Sequence, residues 1–342
     1  MAKIPEPTNS LAVLIDSKIA EHRDNPRQHL GASLLGHHCD RWLWLSFRWA
    51  VIEQFNGRML RLFRRGQNEE ESIINDLRLA GVAVTDKDEK GAQIRVDFGA
   101  FISGSLDGII LSGLPESPNK KHVLEIKTHS LKSFDELEKN GVEKAKPMHF
   151  AQMQIYMHGT GIDRALYAAV CKNDDRYHFE RVRYDKDTAE KLIQRGHRIT
   201  QSSRLPEPCP GASPDWYQCK FCAANDFCHG SKLTQQVNCR TCCHSTALPQ
   251  SVFVCSKWGA EIPAHAHLNG CSYHALHIDL VPWPLAGSVD ELTPIYEIAG
   301  KEVANGYGHY SSAELINGRE LCADNNVQAL RSELGAKIIA RG

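Results

Sequence analysis

The sequence predicts an α/β fold, a mixed central β-sheet flanked by helices, followed by a smaller cysteine-rich module. Three observations predict it. Two stretches of helical apolar spacing, near 9–24 and 57–80, precede Ile-, Leu- and Val-rich runs at about 82–86, 93–103, 105–111 and 122–128. Helical patterns from Pro147 and at about 187–203 then bracket two more strand-like runs, Ala165–Cys171 and Tyr177–Tyr184, an order that lays helices on both faces of a sheet. Finally, nine of the twelve cysteines fall from Cys209 to Cys271, several in Cys-x-x-Cys pairs.

The whole chain sets the bounds. Its 342 residues allow one large domain and a smaller one. Forty basic against forty-one acidic residues give a net charge of −1, which neither supports nor excludes nucleic acid, because binding depends on where charges cluster. No apolar window is long enough to span a membrane, and the N-terminus from Met1 to Pro7 lacks the apolar core of a signal peptide, so a cytosolic protein is expected. Disulfides rarely persist there, which points twelve cysteines toward metal or cluster ligation.

The first helix, 9–24, has Asn9 or Ser10 as cap and sets Leu11, Leu14, Ile15 and Ile19 on one side, for packing. In the next segment, from Gly31 to Trp49, an aromatic helix begins beside Cys39, which taken alone reads as a small buried hydrophobe. The helix at 57–80 carries Leu60, Phe63, Ile74 and Leu77 on one face, and Glu70 falls on that face while Glu69 and Glu71 turn away. An inward carboxylate needs a partner or a cation, unless it merely edges the apolar stripe. Arg58, Arg61, Arg64 and Arg65 could follow a phosphate backbone or form a solvated basic face.

The strands hold the most informative stretch. Gly104–Gly108 and Val123–Lys127 read as paired strands, separated by the turn-forming run Ser112–Asn119. Side chains alternate along a strand, so Glu125 and Lys127 share one face and Leu124 and Ile126 the other. Asp107 precedes a glycine in the paired strand, where the chain can bend and leave a carboxylate open to a metal ion. Ser133–Lys139 reads as a short helix, and a longer one opens at Pro147, with Gln152 and Tyr156 four apart on one face. That pair is either the polar margin of a core helix or a group that holds a phosphate and orients carboxylates.

This constellation suits phosphodiester hydrolysis, which needs a positioned water and neutralisation of charge at phosphorus. Mg²⁺ or Mn²⁺ prefers oxygen ligands. Asp107 and Glu125, the Ile126 carbonyl and Glu70 form the expected ligand set, and Lys127 would orient the attacking water and stabilise developing charge. Asp107, the Glu125-x-Lys127 pair, Glu70 upstream and Gln152-x-x-x-Tyr156 downstream together resemble the PD-(D/E)XK nuclease superfamily, specifically its RecB-like and lambda-exonuclease-like branch. The resemblance implies a restriction-endonuclease-like core and catalytic roles for Glu70, Asp107, Glu125, Lys127, Gln152 and Tyr156. Ser105-Leu106-Asp107 lacks the proline of the superfamily's name, and glutamate at position 70 follows the lambda-exonuclease pattern where many RecB-like members carry histidine.

Cys219, Cys222 and Cys228 form a C-x2-C-x5-C array, one ligand short of a tetrahedral set. With Cys39-Asp40-Arg41-x-x-Trp44 it resembles the iron–sulfur nucleases of the RecB-like branch, the AddAB-type and CRISPR-adaptation enzymes. The resemblance implies that Cys39, Cys219, Cys222 and Cys228 bind a [4Fe–4S] cluster stapling the two ends of the nuclease domain. The competing reading is a zinc site of Cys209, Cys219, Cys222 and Cys228, or with His229 replacing one of them. Further on, Cys239, Cys242, Cys255 and Cys271 read as the Zn²⁺ ligands of a zinc-ribbon-like unit, with Cys243, His244 and His274 in reserve.

The expected organisation is therefore a nuclease domain at 1–232, a zinc-ribbon-like domain at 233–280, and an accessory segment at 281–342. That last segment contains Pro294–Ile298, Ser311–Ile316 and a helix near Val327–Ile339, without evident chemistry, and Cys322 is structural or free. The expected function is Mg²⁺- or Mn²⁺-dependent DNA exonuclease activity in recombination or repair. The domain order resembles phage-encoded recombination nucleases, implying a bacterial host cytoplasm and a single-strand-annealing partner. The alternatives are an endonuclease, or a non-catalytic DNA-binding or assembly subunit.

Overall fold

The computed structural model describes residues 10–22, 25–230 and 232–317. Ahead of the cysteine-rich region its elements are α1 (Ser10–Glu21), β1 (Leu30–Gly31), α2 (Asp40–Phe47), α3 (Gly57–Leu79), β2 (Ala83–Thr85), β3 (Arg95–Asp97), β4 (Ile102–Ser105), β5 (Gly108–Ser112), β6 (His122–His129), α4 (Leu131–Ala145), α5 (Pro147–Thr160), β7 (Arg164–Cys171), β8 (Tyr177–Arg183) and α6 (Lys186–Gln201). Beyond lie α7 (Tyr217–Lys220), α8 (Asn225–His229), β9 (Ser245–Leu248), β10 (Val252–Cys255), β11 (Ala260–Ile262), β12 (Leu285–Ser288), β13 (Pro294–Ile298), β14 (Lys301–Ala304) and α9 (Ser312–Asn317).

Local chemistry sets the helix starts. Asn56 caps α3 by accepting from the Met59 amide at 3.0 Å. Pro147, with no amide proton to leave unpaired, opens α5. Asp185 caps α6 by accepting from the amides of Asp187 and Thr188.

The central sheet has the strand order β2-β5-β6-β7-β8, with β6 and β7 parallel and the other neighbours antiparallel. The parallel step is made by α4 and α5, the crossover that such a pair requires. Three smaller sheets accompany it: β1-β4-β3, β11-β10-β9 and β12-β13-β14. This is the mixed α/β sheet flanked by helices that the sequence predicts. β6 carries the alternation into three dimensions. Leu124 and Ile126 pack with Ile73, Ile74 and Leu77 of α3, whereas Val123 joins a core with Ile155 of α5 and Tyr167 of β7. Glu125 and Lys127 consequently look toward α5.

The larger core does not stop at the cysteine-rich region. Ala247, Phe253 and Leu280 share it with Leu45, Phe47 and Phe101. Arg240 is wholly buried there, 3.9 Å from the Trp49 ring and 4.7 Å from that of Phe253.

Two expectations are corrected. Leu11, Leu14 and Ile15 of α1 are exposed, as is Phe63 of α3. Ile19 alone of that apolar side is half-buried, because α1 lies along α3 and turns Leu11, Leu14 and Ile15 to solvent. Asp107 also lies between β4 and β5 and not within a strand, since the chain passes there from one sheet to the next. The helix expected near Val327–Ile339 and Cys322 lie outside the described residues.

Candidate active site

Asp107 sits at the sheet crossover, and its Oδ2 accepts from the Ile126 amide at 2.7 Å, tying the loop to β6. Glu125 is fully buried, its carboxylate pressed against Lys127 Nζ, and its Oε2 has no hydrogen-bond partner among the described residues. Lys127 Nζ donates to the Ile126 carbonyl at 2.9 Å and lies 3.7 Å from Asp107 Oδ2. Glu70 reaches the same place from α3. With Asp107 it lines a groove of about 490 Å³ that also presents Gln67, Glu71, Lys87 and Gln93.

Three carboxylates on one lysine are electrostatically crowded. Burial, reinforced by Asp107 and only partly offset by Lys127, pushes Glu70 up to about 7. Burial likewise holds Glu125 well above the usual carboxylate range, with Lys127 opposing and Asp107 and Glu70 reinforcing. Burial works against the Lys127 charge, but Glu125 and Asp107 outweigh it and keep the ammonium protonated. An unpartnered buried carboxylate oxygen beside two further acids and a carbonyl is an all-oxygen donor set that fits a hard divalent cation.

On α5, Gln152 and Tyr156 are buried and face this pocket. Gln152 Nε2 lies 3.4 Å from the Tyr156 hydroxyl, which burial, then Glu125, keeps protonated and so available as a donor. Gly104 makes room for it: a Cβ there would fall 2.7 Å from the Tyr156 hydroxyl. Of Arg58, Arg61, Arg64 and Arg65 on α3, Arg61 pairs with Asp16 at 3.0 Å and Arg65 donates to the Lys172 carbonyl.

The sequence reading missed a polar row on the pocket's wall. The Tyr167 hydroxyl lies 2.8 Å from His129 Nε2 and 2.7 Å from His149 Nδ1, and Ser133 Oγ lies 3.1 Å from His129 Nδ1. Tyr167 stands opposite Glu125 in the β6–β7 register and so shares its face. Burial, then neighbouring lysines, lowers His149 to about 3 and His129 to about 4, so both rings are neutral near pH 7. The available signal was spacing, since His149 precedes Gln152 by three residues on the same helical face.

Two cysteine centres lie apart from the acids. Cys39 N-caps α2, its Sγ accepting from the Trp42 amide, and with Cys209, Cys219, Cys222 and Cys228 it lines a cavity of about 210 Å³. Cys209 lies beside Cys39. Burial, then the neighbouring sulfurs, raises Cys209 to about 11, and burial also raises Cys222 to about 11. A soft, sulfur-only donor set whose members repel one another as thiolates fits a cationic cluster or metal. In the second centre Cys239, Cys242, Cys255 and Cys271 line a cavity of about 350 Å³ together with His244 and His274. Cys242, Cys243 and His244 bring their ligand atoms within 4.8 Å of one another. Both nitrogens of His274 are engaged, Nδ1 with Ser312 Oγ at 2.7 Å and Nε2 with the Asn238 carbonyl at 3.0 Å.

No family model matches this chain, and no curated protein matches it. Among solved structures it is similar to an alkaline exonuclease from Laribacter hongkongensis, LHK-Exo, at 17% identity over 55% of this chain and 90% of that one, with a TM-score of 0.36. The same enzyme in complex with dAMP gives equal figures. A phage related exonuclease from Haemophilus somnus 129PT is 20% identical over 40% of this chain and 70% of that one, with a TM-score of 0.28. These structural neighbours are exonucleases; at such scores the likeness carries no weight beside the residues themselves.

Proposed function

We propose that this protein is a divalent-cation-dependent deoxyribonuclease of the PD-(D/E)XK kind, acting on DNA ends as an exonuclease. The observation that carries the reading is the buried Glu125 carboxylate, unpartnered at Oε2, set beside Asp107, Glu70 and Lys127. A fully buried acid that is paired through one oxygen and leaves the other without a partner is expensive to keep.

Glu70, Asp107, Glu125 and the Ile126 carbonyl would hold Mg²⁺ or Mn²⁺, which when bound supplies charge neutralisation at the phosphate and a more acidic water. Lys127, held protonated by Glu125 and Asp107, orients the attacking water and meets the negative charge that develops on the phosphoryl oxygens. The protonated Tyr156 hydroxyl and the Gln152 amide donate to the phosphate from α5. Tyr167, locked between His129 and His149, fills the wall behind Glu125 and limits the positions that carboxylate can take.

The reading extends to a role in recombination or repair, beside a single-strand-annealing partner in a bacterial cytoplasm, on the resemblance of the domain order to phage-type recombination nucleases. In this reading Cys39, Cys219, Cys222 and Cys228 hold a [4Fe–4S] cluster, and Cys239, Cys242, Cys255 and Cys271 hold Zn²⁺. Purified protein should be brown and lose its colour on Cys39→Ser, while colourless protein with zinc at that site would exclude the cluster.

The test of the activity uses end-labelled linear and closed circular DNA, with wild type and Asp107→Ala, with and without Mg²⁺. Metal-dependent loss of linear DNA by wild type alone supports the exonuclease. Cutting of closed circles indicates an endonuclease, and degradation of neither removes the catalytic reading.

A further inference from the structure

Three aromatic rings from three separate segments meet on the surface of the cysteine-rich region. Trp258 lies in the turn joining β10 to β11, Tyr273 follows Cys271 by two residues, and Tyr307 lies between β14 and α9. Tyr273 and Tyr307 are stacked, with centroids 4.4 Å apart and planes 18° from parallel. Trp258 meets Tyr273 edge-on at 5.2 Å and 81°. The Lys257 ammonium lies 4.5 Å from the centre of the Tyr273 ring.

The backbone displays the outer two rings. Trp258 is followed by Gly259 at φ +57°, and Tyr307 is flanked by Gly306 and Gly308 at φ +148° and +78°, conformations that side chains of L-residues rarely adopt. Both rings therefore sit at the tips of tight turns and are 59% and 61% exposed. A tyrosine stacked on one face and still 61% exposed shows its other face to solvent. Trp258, perpendicular to Tyr273 and more than half exposed, likewise keeps ring surface open to solvent. Rings held this way are poor core residues, for they leave in water the apolar area that a core would cover.

We infer that Trp258, Tyr273 and Tyr307, with Lys257, form a stacking platform for unpaired bases of single-stranded DNA. Ring surface that is open to solvent and accompanied by a cation matches the sequence-tolerant way in which proteins hold single strands. Asp290 lines the small hollow of about 100 Å³ beneath, together with Lys257 and Tyr307, so the rim carries one charge of each sign. Stacking, and not phosphate attraction, then supplies most of the affinity. The choice of DNA as ligand rests on the nuclease reading, which it extends from the cleavage site to a place where the strand is held.

The test is binding of fluorescein-labelled oligo(dT) to full-length Asp107→Ala protein, followed by anisotropy without added divalent cation. Trp258→Ala and Tyr307→Ala should each weaken binding about 5- to 150-fold, the range of base–aromatic stacking. Trp258→Phe and Tyr307→Phe, which keep a ring, should bind nearly as the parent does and so exclude misfolding as the cause. With so few cations the slope of log K against log salt should change by less than about 1 on Lys257→Gln. A duplex of equal length, whose bases are already stacked, should bind the parent and both alanine variants alike. Unchanged oligo(dT) binding in both alanine variants overturns the platform, as does equal weakening for duplex and single strand. These outcomes are independent of hydrolysis: inactive wild-type protein whose oligo(dT) binding falls with the alanine variants would sink the nuclease reading and leave the platform standing.

Discussion

Glu70 and Glu125 hold protons more tightly when folded than an ordinary carboxyl does, and this fixes a sign for pH. For Glu70, raised from 4.5 to about 7, the folded state is the one that retains the proton between those values. Its contribution to stability is thus lost as pH rises through that window and is constant above it. Glu125 acts in the same direction. A cation binding the ionised acids reverses the penalty, so saturating Mn²⁺ should raise the melting temperature by about 5 °C at pH 8, the size of a ligand at a hundredfold excess over its Kd, and by much less at pH 5. Differential scanning fluorimetry at the two pH values checks this, and an equal gain at both would remove the acids from the ligand set. Glu125 and Lys127 were legible in the sequence because strand alternation is local. Tyr167 was not, because its place beside Glu125 depends on the parallel register of two strands some forty residues apart. Tyr167→Phe leaves the nitrogens that met the hydroxyl without a partner, a loss of about 1–3 kcal/mol. If the hydroxyl also fixes the pocket wall, kcat should fall about tenfold while KM for DNA stays within about twofold. A matching fall in kcat/KM through KM alone would assign the row to binding.

The elements show what periodicity can and cannot say. The stripe on α3 correctly sets Ile74 and Leu77 against the sheet, and it brings Glu70 to the groove. It also marks Phe63, which is exposed, since the first turns of α3 lie against α1 and Phe55 and not against the sheet core. A stripe identifies the apolar side of a helix but not whether another element covers it. The approach of α5 to β4 is equally invisible in a local pattern, though it seats Tyr156 against Gly104. Gly104→Ala would place a methyl group 2.7 Å from the Tyr156 ring and hydroxyl and 3.0 Å from Ala32. The expected cost is about 1–3 kcal/mol in chemical denaturation, typical of overpacking, with a loss of hydrolysis larger than the loss of stability explains. Wild-type hydrolysis by a correctly folded Gly104→Ala protein would show that Tyr156 need not stand where it does.

At the scale of the molecule, composition located the cysteine-rich region but not its attachment to the sheet domain. That attachment runs through two buried arginines. Arg48 donates to the Ser245 carbonyl at 3.0 Å. Arg240 donates to the carbonyls of Phe47 and Gln28 at 2.8 Å each, while its guanidinium lies among the rings of Trp49, Phe47 and Phe253. Burial, then Arg48, lowers Arg240 to about 9, so it remains charged at pH 7, and its hydrogen bonds and ring contacts compensate the lost hydration. Such a contact could not be read from the sequence, where a lone arginine between Cys239 and Cys242 looks like a surface residue of a metal knuckle. Arg240→Ala removes the donors, orphans two carbonyls and opens a cavity among aromatic rings, a loss of about 3–5 kcal/mol. If the two regions are bound into one folding unit, calorimetry of the metal-loaded protein should show a single transition in wild type, shifted down by about 4–7 °C in Arg240→Ala at the entropy expected for a chain of this size. Should wild type melt in two transitions, with the variant moving only the one that responds to zinc chelation, the cysteine-rich region would be a separate domain resting on the sheet.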